Sequence, residues 1–132
     1  LLADKNFAAA RDASREAADI AQLLGNRDGT ALALAENAQA LFALNQKKVA
    51  LTQARESVTS LTASGSGELW RAQFALGQVA RETDKAAAIA ALREAVAALK
   101  AIHDQLSPDQ TERRQRIANA RAAPAKLLLE LS

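Results

Sequence analysis

"ALTQARESV" at residues 50–58 returns as "AIAALREAV" at residues 88–96, and a fainter form, "AARDASREAA", stands at residues 9–18. Aligned on their Arg-Glu pairs, Arg15-Glu16, Arg55-Glu56 and Arg93-Glu94 fall in register, with offsets of 40 and then 38 residues. The 38-residue shift carries Ala50, Leu51 and Ala54 onto Ala88, Ile89 and Leu92. It also carries an upstream stripe, Leu34, Ala38 and Leu41, onto Ala72, Leu76 and Val79. Two stripes moving under one offset mean that a pair of helices repeats. Self-similarity at a period of about 20 to 50 residues marks stacked units that cannot bury their apolar faces alone and share a core with their neighbours.

Composition agrees. A length of 132 residues fits one domain spanning the chain. Thirty-four alanines, with only five Gly and two Pro, favour an all-α chain, because alanine loses least entropy in a helix. Seventeen basic against 15 acidic residues leave a net charge of only +2, so nucleic acid is not the expected partner. The absence of Cys excludes disulfides, thiol catalysis and thiolate metal sites. No apolar run approaches the roughly 20 residues of a spanning helix, and the start lacks the features of a secretory signal. A soluble, cytoplasmic protein without membrane association is therefore expected. The chain also contains no Met, so it is expected to be a processed product or an excised piece of a larger protein.

About six helices are expected. Helix one covers about 3–24, with a stripe of Phe7, Ala10, Ala13 or Ser14, Ala17, Ile20 or Ala21, and Leu24. Gly25 suits a left-handed residue after it, and Thr30 suits the cap of the next helix. A hairpin of two helices fills 31–61, with Asn45 and Gln46 as its tight link, and "TASGSG" at 62–67 reads as a flexible joint. A second hairpin fills 68–104, with Asp84 capping its second helix. "SPDQ" at 107–110 offers Ser107 as cap, Pro108 in the first turn and Gln110 reaching back, so a last helix is expected over 108–132, kinked or broken near Pro124.

The repeated pair resembles the tetratricopeptide family, whose units couple a first helix bearing an aromatic and a Leu-Gly to a second helix with a ladder of small residues. "ELWRAQFALGQVA" followed by "AAAIAALREAVAAL" is similar to one such unit, with Trp70, Leu76 and Gly77 in the first helix and Ala88, Leu92 and Ala95 in the second. "ALAENAQALFALNQKKVALTQARESV" is similar to another, with Ala38, Ala50, Ala54 and Ser57 in the ladder positions. The period is longer than the family's usual repeat of about 34 residues, and Trp70 stands further from Gly77 than in its W-x2-L-G pattern. No Tyr is present, and Asn45 and Thr83 stand where turn glycines are usual. The closest form is the longer, alanine-rich variant of bacterial arrays, often fused to signalling ATPase or caspase-like peptidase domains.

What the resemblance implies is a stack of antiparallel hairpins forming a right-handed superhelix, a non-enzymatic scaffold that binds a peptide or partner domain on its concave face. By position in the family, that face would carry Gln39 and Phe42 from the second helix, Gln73 and Arg81 from the fourth, and Gln115 and Asn119 from the sixth. A one-residue shift in the fourth helix would substitute Arg71 and Gln78. Any self-association is expected through the terminal helices.

Little chemistry competes with that reading. His103 is the one histidine, near a helix end below Leu92, Val96 and Leu99, where packing and the helix dipole account for it. Neither a two-histidine metal site nor a Ser-His triad with spare partners can be assembled, so no enzyme activity, metal or cofactor is expected. Asp12, Glu16 and Asp19 alternate with Arg11 and Arg15 as a solvated helix face. Residues 64–67 lack the lysine and strand of a phosphate loop. "ERRQRIANAR" gathers Arg113, Arg114, Arg116 and Arg121, which defines an alternative, a nucleic-acid-associated adaptor without stacking aromatics. A closed helical bundle acting as a sensory or ligand-binding domain is the other. Trp70 is read as core, beside Phe74 and Leu76.

Overall fold

The computed structural model describes residues 2–132, with side chains from Asn6 onward. Those residues form six helices and no strand: α1 (Leu2–Leu23), α2 (Arg27–Ala43), α3 (Lys47–Ser64), α4 (Leu69–Ala80), α5 (Lys85–Gln105) and α6 (Thr111–Leu131). The first three end in the same way. Gly25, Asn45 and Gly65 adopt left-handed backbone angles, with φ of 69°, 67° and 68°. Each is followed by a residue whose N–H reaches back to close the helix: Asn26 to the Ala21 carbonyl (2.8 Å), Gln46 to Leu41 (2.8 Å) and Ser66 to Leu61 (3.1 Å). Asn45 therefore does the work of a turn glycine, as its short amide side chain allows.

Helix starts depart from expectation in two places. Asn26, not Thr30, caps α2, its Oδ1 accepting the Gly29 N–H at 2.8 Å, so α2 begins at Arg27 rather than 31. Residues 107–110 form a turn of their own, closed by the Gln110 N–H on the Ser107 carbonyl (3.0 Å) and by Gln110 Oε1 accepting the Ser107 N–H (3.0 Å). The reach-back by Gln110 is present, but α6 begins one turn later, at Thr111, with Gln110 in the capping position. Asp84 caps α5 as expected, accepting the Ala87 N–H at 3.1 Å.

Two further expectations change in part, the break at Pro124 and the extent of the joint at 62–67. Pro124 does not break α6, which runs through it to Leu131 with the proline ring fully buried. Burial of the ring offsets the missing backbone donor. The joint is shorter than expected: Thr62, Ala63 and Ser64 belong to α3, and the Ser66 hydroxyl accepts the Glu68 N–H at 3.1 Å.

Turns of three to five residues make successive helices antiparallel neighbours, and each helix packs on the next. Beyond those pairs, α2 touches α4 and α4 touches α6, while among the described residues α1 touches α2 alone. The helices thus follow one another in file rather than closing around a common centre. Under the 38-residue shift, the buried residues of α3, Ala50, Ala54, Ser57 and Leu61, land on Ala88, Leu92, Ala95 and Leu99, which are equally buried in α5. The Arg-Glu pairs all point to solvent.

Small residues let the helices approach closely. Ala38, Leu41, Ala50, Ala54 and Val79 form one core cluster among α2, α3 and α4; Ala31, Ala35, Leu61, Ala72 and Ala75 form a second. A Cβ on Gly77 would lie 2.5 Å from Leu92 Cγ, so α4 and α5 meet there only because position 77 has no side chain. Buried alanines remove little area, and most of the hydrophobic gain comes from Leu61, Leu92, Leu99 and Val79, at about 1.5–3 kcal/mol each.

Most polar groups inside the stack are paired, Gln73 Oε1 being an exception. Ser57 donates to the Ala31 carbonyl at 2.6 Å, which satisfies a hydroxyl in a ladder position otherwise held by alanine. A chain of three side chains crosses α1, α2 and α3: the Ser14 hydroxyl lies 3.1 Å from Asn37 Oδ1, and Asn37 Nδ2 donates to Gln53 Oε1 at 2.6 Å.

Candidate functional site

The file of helices leaves α2, α4 and α6 side by side, and the surface they share is hollow. Between α2 and α4 runs a groove of about 620 Å³, with Leu32, Glu36 and Gln39 on one wall, Trp70, Arg71 and Phe74 on the other, and Ala120 of α6 at its edge. A second hollow of about 450 Å³ continues it between α4 and α6, adding Ile102, Leu106, Arg113, Arg116 and Ile117. The two share Glu68, Trp70, Arg71 and Ala120, so they form one trough.

The trough has an aromatic middle and a basic end. Trp70 is half-buried rather than core, which corrects the sequence expectation; the Arg71 guanidinium lies over its ring at 4.5 Å and also pairs with Glu68. Phe74 is half-buried beside it. Arg113 and Arg116 have no carboxylate partner among the described residues. Arg114 is directed elsewhere, donating to the Leu106 carbonyl at 3.3 Å, and Arg121 is half-buried, so the four arginines of α6 do not form a single patch.

Of the six residues expected on this face, the structure sorts three groups. Gln39 lies in the groove, and its Nε2 donates to Gln78 Oε1 at 2.6 Å across the α2–α4 gap. Phe42 and Arg81 meet nearby at the other end of the same two helices: the Arg81 guanidinium lies 5.2 Å and the Lys47 ammonium 5.8 Å from the Phe42 ring centre. Lys47 also bonds Glu82, and that hydrogen bond, with the charge of the same ammonium, holds the Glu82 carboxyl below its ordinary range.

Phe42 and Arg81 thus stand beyond the trough, and the other three residues also lie off it. Gln73 is a correction: it is 9% exposed, and its Oε1 is buried without a hydrogen-bond partner. It lies one turn before Gly77, the residue that meets Leu92 of α5, whereas Arg71 is exposed, Gln78 is half-buried on Gln39 and Arg81 stays on the surface over Phe42. Gln115 and Asn119 are exposed on α6 and bond each other at 2.9 Å, one helical step away from the trough-lining Arg116 and Ala120. Sequence reasoning missed Trp70, Phe74 and Ile117 as surface groups.

Among the described residues no three His, Asp or Glu side chains converge as a metal site. His103 is half-buried near the end of α5, with Nδ1 3.4 Å from Asp104 Oδ1. No helix among the described residues is long and apolar enough to cross a membrane. Comparison with protein-family models, with curated proteins and with solved structures finds no match.

Proposed function

We propose that the chain is a tetratricopeptide-like, non-enzymatic interaction scaffold, a right-handed stack of helical hairpins that holds a peptide or an extended partner segment in the trough between α2, α4 and α6. The observation that carries this reading is the trough itself, a continuous hollow in which half-buried aromatic rings alternate with polar and basic groups. Such a lining fits a segment whose apolar side chains rest on Trp70, Phe74 and Ile117 while its carboxylates reach Arg113 and Arg116. The file-like packing, in which α1 among the described residues touches α2 alone, favours an open stack over a closed sensory bundle.

Gln78→Glu combined with Arg116→Glu tests it. Gln78→Glu still accepts from Gln39, and both positions are on the surface, so stability should change by less than about 0.5 kcal/mol. Capture of a partner from source lysate, after nuclease treatment, should be lost with this variant and kept with Arg55→Glu/Arg93→Glu on the outer faces. Retention by the trough variant with loss in the outer-face variant contradicts the trough. Loss of wild-type capture on nuclease treatment favours the nucleic-acid adaptor instead.

A further inference from the structure

The trough does not stop at α2. The groove between α2 and α4 shares Glu36 and Gln39 with a third hollow of about 450 Å³ between α1 and α2, whose walls include Phe7, Ala10, Ala13 and Ala40. Glu36 and Gln39 therefore form a ridge on α2 between two hollows, as Glu68, Trp70 and Arg71 form a ridge on α4 between the next two. Three hollows and two ridges thus run across α1, α2, α4 and α6, each of which touches the next. Helices in contact lie about 8–10 Å apart, so the hollows recur about every 9 Å. A polyproline II segment has three residues per turn at about 3.1 Å each, and it presents the same side about every 9.3 Å. In a β-strand every second residue shares a face, a repeat of about 6.6 Å that meets a ridge where a hollow is needed.

We propose that the occupant is an acidic, proline-rich segment in the polyproline II conformation, laid across the four helices so that every third side chain enters a hollow. This rests on the trough being the binding surface and specifies what it holds. Trp70 and Phe74 offer the flat apolar walls on which proline rings rest, and such a segment is ordered before it binds, so little conformational freedom is lost. Its backbone makes no internal hydrogen bonds. Gln39 donates one amide hydrogen to Gln78, which leaves the second for a carbonyl passing over the α2 ridge. The hollows differ in chemistry, and that sets the order of residues. Those at α1–α2 and α2–α4 take apolar side chains, against Ala10, Ala40, Leu32 and Phe74. The α4–α6 hollow takes a carboxylate, because Arg113 and Arg116 have no carboxylate partner among the described residues, while Glu68 in the same hollow is already held by Arg71.

Trp70 is the one tryptophan and stands in the wall of two hollows, so its emission reports occupancy. The probe is a seven-residue synthetic peptide, blocked at both ends, with leucine at its first and fourth positions, glutamate at its seventh and proline elsewhere. It should shift Trp70 emission saturably, with a Kd below about 1 mM. A peptide of the same composition with leucine at its first and third positions and glutamate at its fifth should bind at least about tenfold more weakly. Arg113→Glu/Arg116→Glu should lose affinity for the glutamate probe by at least about tenfold and gain affinity for its lysine counterpart. Ala10→Leu, which fills the α1–α2 hollow, should weaken the probe and leave unchanged a peptide that lacks the first leucine. Both variants alter exposed residues only. No saturable shift with the probe overturns the inference, as does equal binding of the two spacings, or indifference to the arginine reversal or to Ala10→Leu. If the trough still captures its lysate partner after such a result, the polyproline occupant alone is wrong; if capture by the trough fails as well, so does the trough reading.

Discussion

Gly77→Ala probes the closest approach in the stack. The new methyl carbon would sit 2.5 Å from Leu92 Cγ, 2.6 Å from Cδ2 and 3.3 Å from Cδ1. Comfortable carbon contacts lie near about 3.5–4.0 Å, so roughly 1 Å of separation has to be found. Rotation about χ2 moves only the two methyls of Leu92, and displacing Cγ takes a change of χ1 by a side chain that is fully buried in the stack. The cost should fall in the upper part of the overpacking range of about 1–3 kcal/mol. Alanine gains about 0.8–1.0 kcal/mol over glycine inside a helix, so the net loss is about 1–2 kcal/mol. Urea unfolding followed by circular dichroism measures it directly. Leu92→Ala alone should cost about 2–5 kcal/mol, and in that background Gly77→Ala should become neutral or stabilising by up to about 1 kcal/mol. A Gly77→Ala protein as stable as wild type, with no coupling to Leu92, would refute the close α4–α5 contact and with it the assigned register of α4.

Other consequences can be measured alongside. Gly25→Ala, which puts a side chain on a left-handed backbone, should lose about 1–2 kcal/mol in the same assay, while Asn45→Gly should be neutral or slightly stabilising. Asn37→Ala removes the middle of the Ser14–Asn37–Gln53 chain and should cost about 1–3 kcal/mol, with α1 the first helix to lose amide-exchange protection. Glu82 titrates below its ordinary value when folded, so its contribution to stability is present above the unfolded carboxylate pKa and is lost as pH falls through the lowered folded value. Lys47→Ala should bring the Glu82 pKa back up toward 4.5, its reference value, in a carbon-detected NMR titration, and an unmoved Glu82 would remove Lys47 as the cause.

The ladder of small buried residues was legible because it is written twice at one offset, and the structure buries Ala50, Ala54, Ser57 and Leu61 together with Ala88, Leu92, Ala95 and Leu99. The phase of α4 was harder to read. Its buried face is carried mainly by small residues, Ala72, Ala75, Gly77 and Ala80, while the large Trp70 and Phe74 stay half-buried, so a reading by size misplaces the phase. Gly77 held the missing signal: a glycine inside a helix marks a close approach, and that fixes Gln73, one turn earlier, on the buried side and leaves Trp70 and Phe74 to line the trough. The size of Trp70 and its place beside Phe74 and Leu76 suggest core, whereas alanines and leucines suffice to fill the narrow gaps between these helices. Helix α1 misled for a different reason. Its apolar stripe is real, but burial depends on a neighbour, and only Ser14 and Ala21 face α2 closely enough to be covered. Pro124 and residues 107–110 show local signals yielding to tertiary packing and to a competing turn.

Photo-crosslinking tests the trough as the place of binding most directly. Benzoylphenylalanine at position 74, in the middle of the trough, and at position 59, exposed on the outer face of α3, give two otherwise identical reporters. Irradiated with captured partner, the position 74 protein should form a covalent adduct and the position 59 protein should not. An adduct from position 59 with none from position 74 would contradict the account.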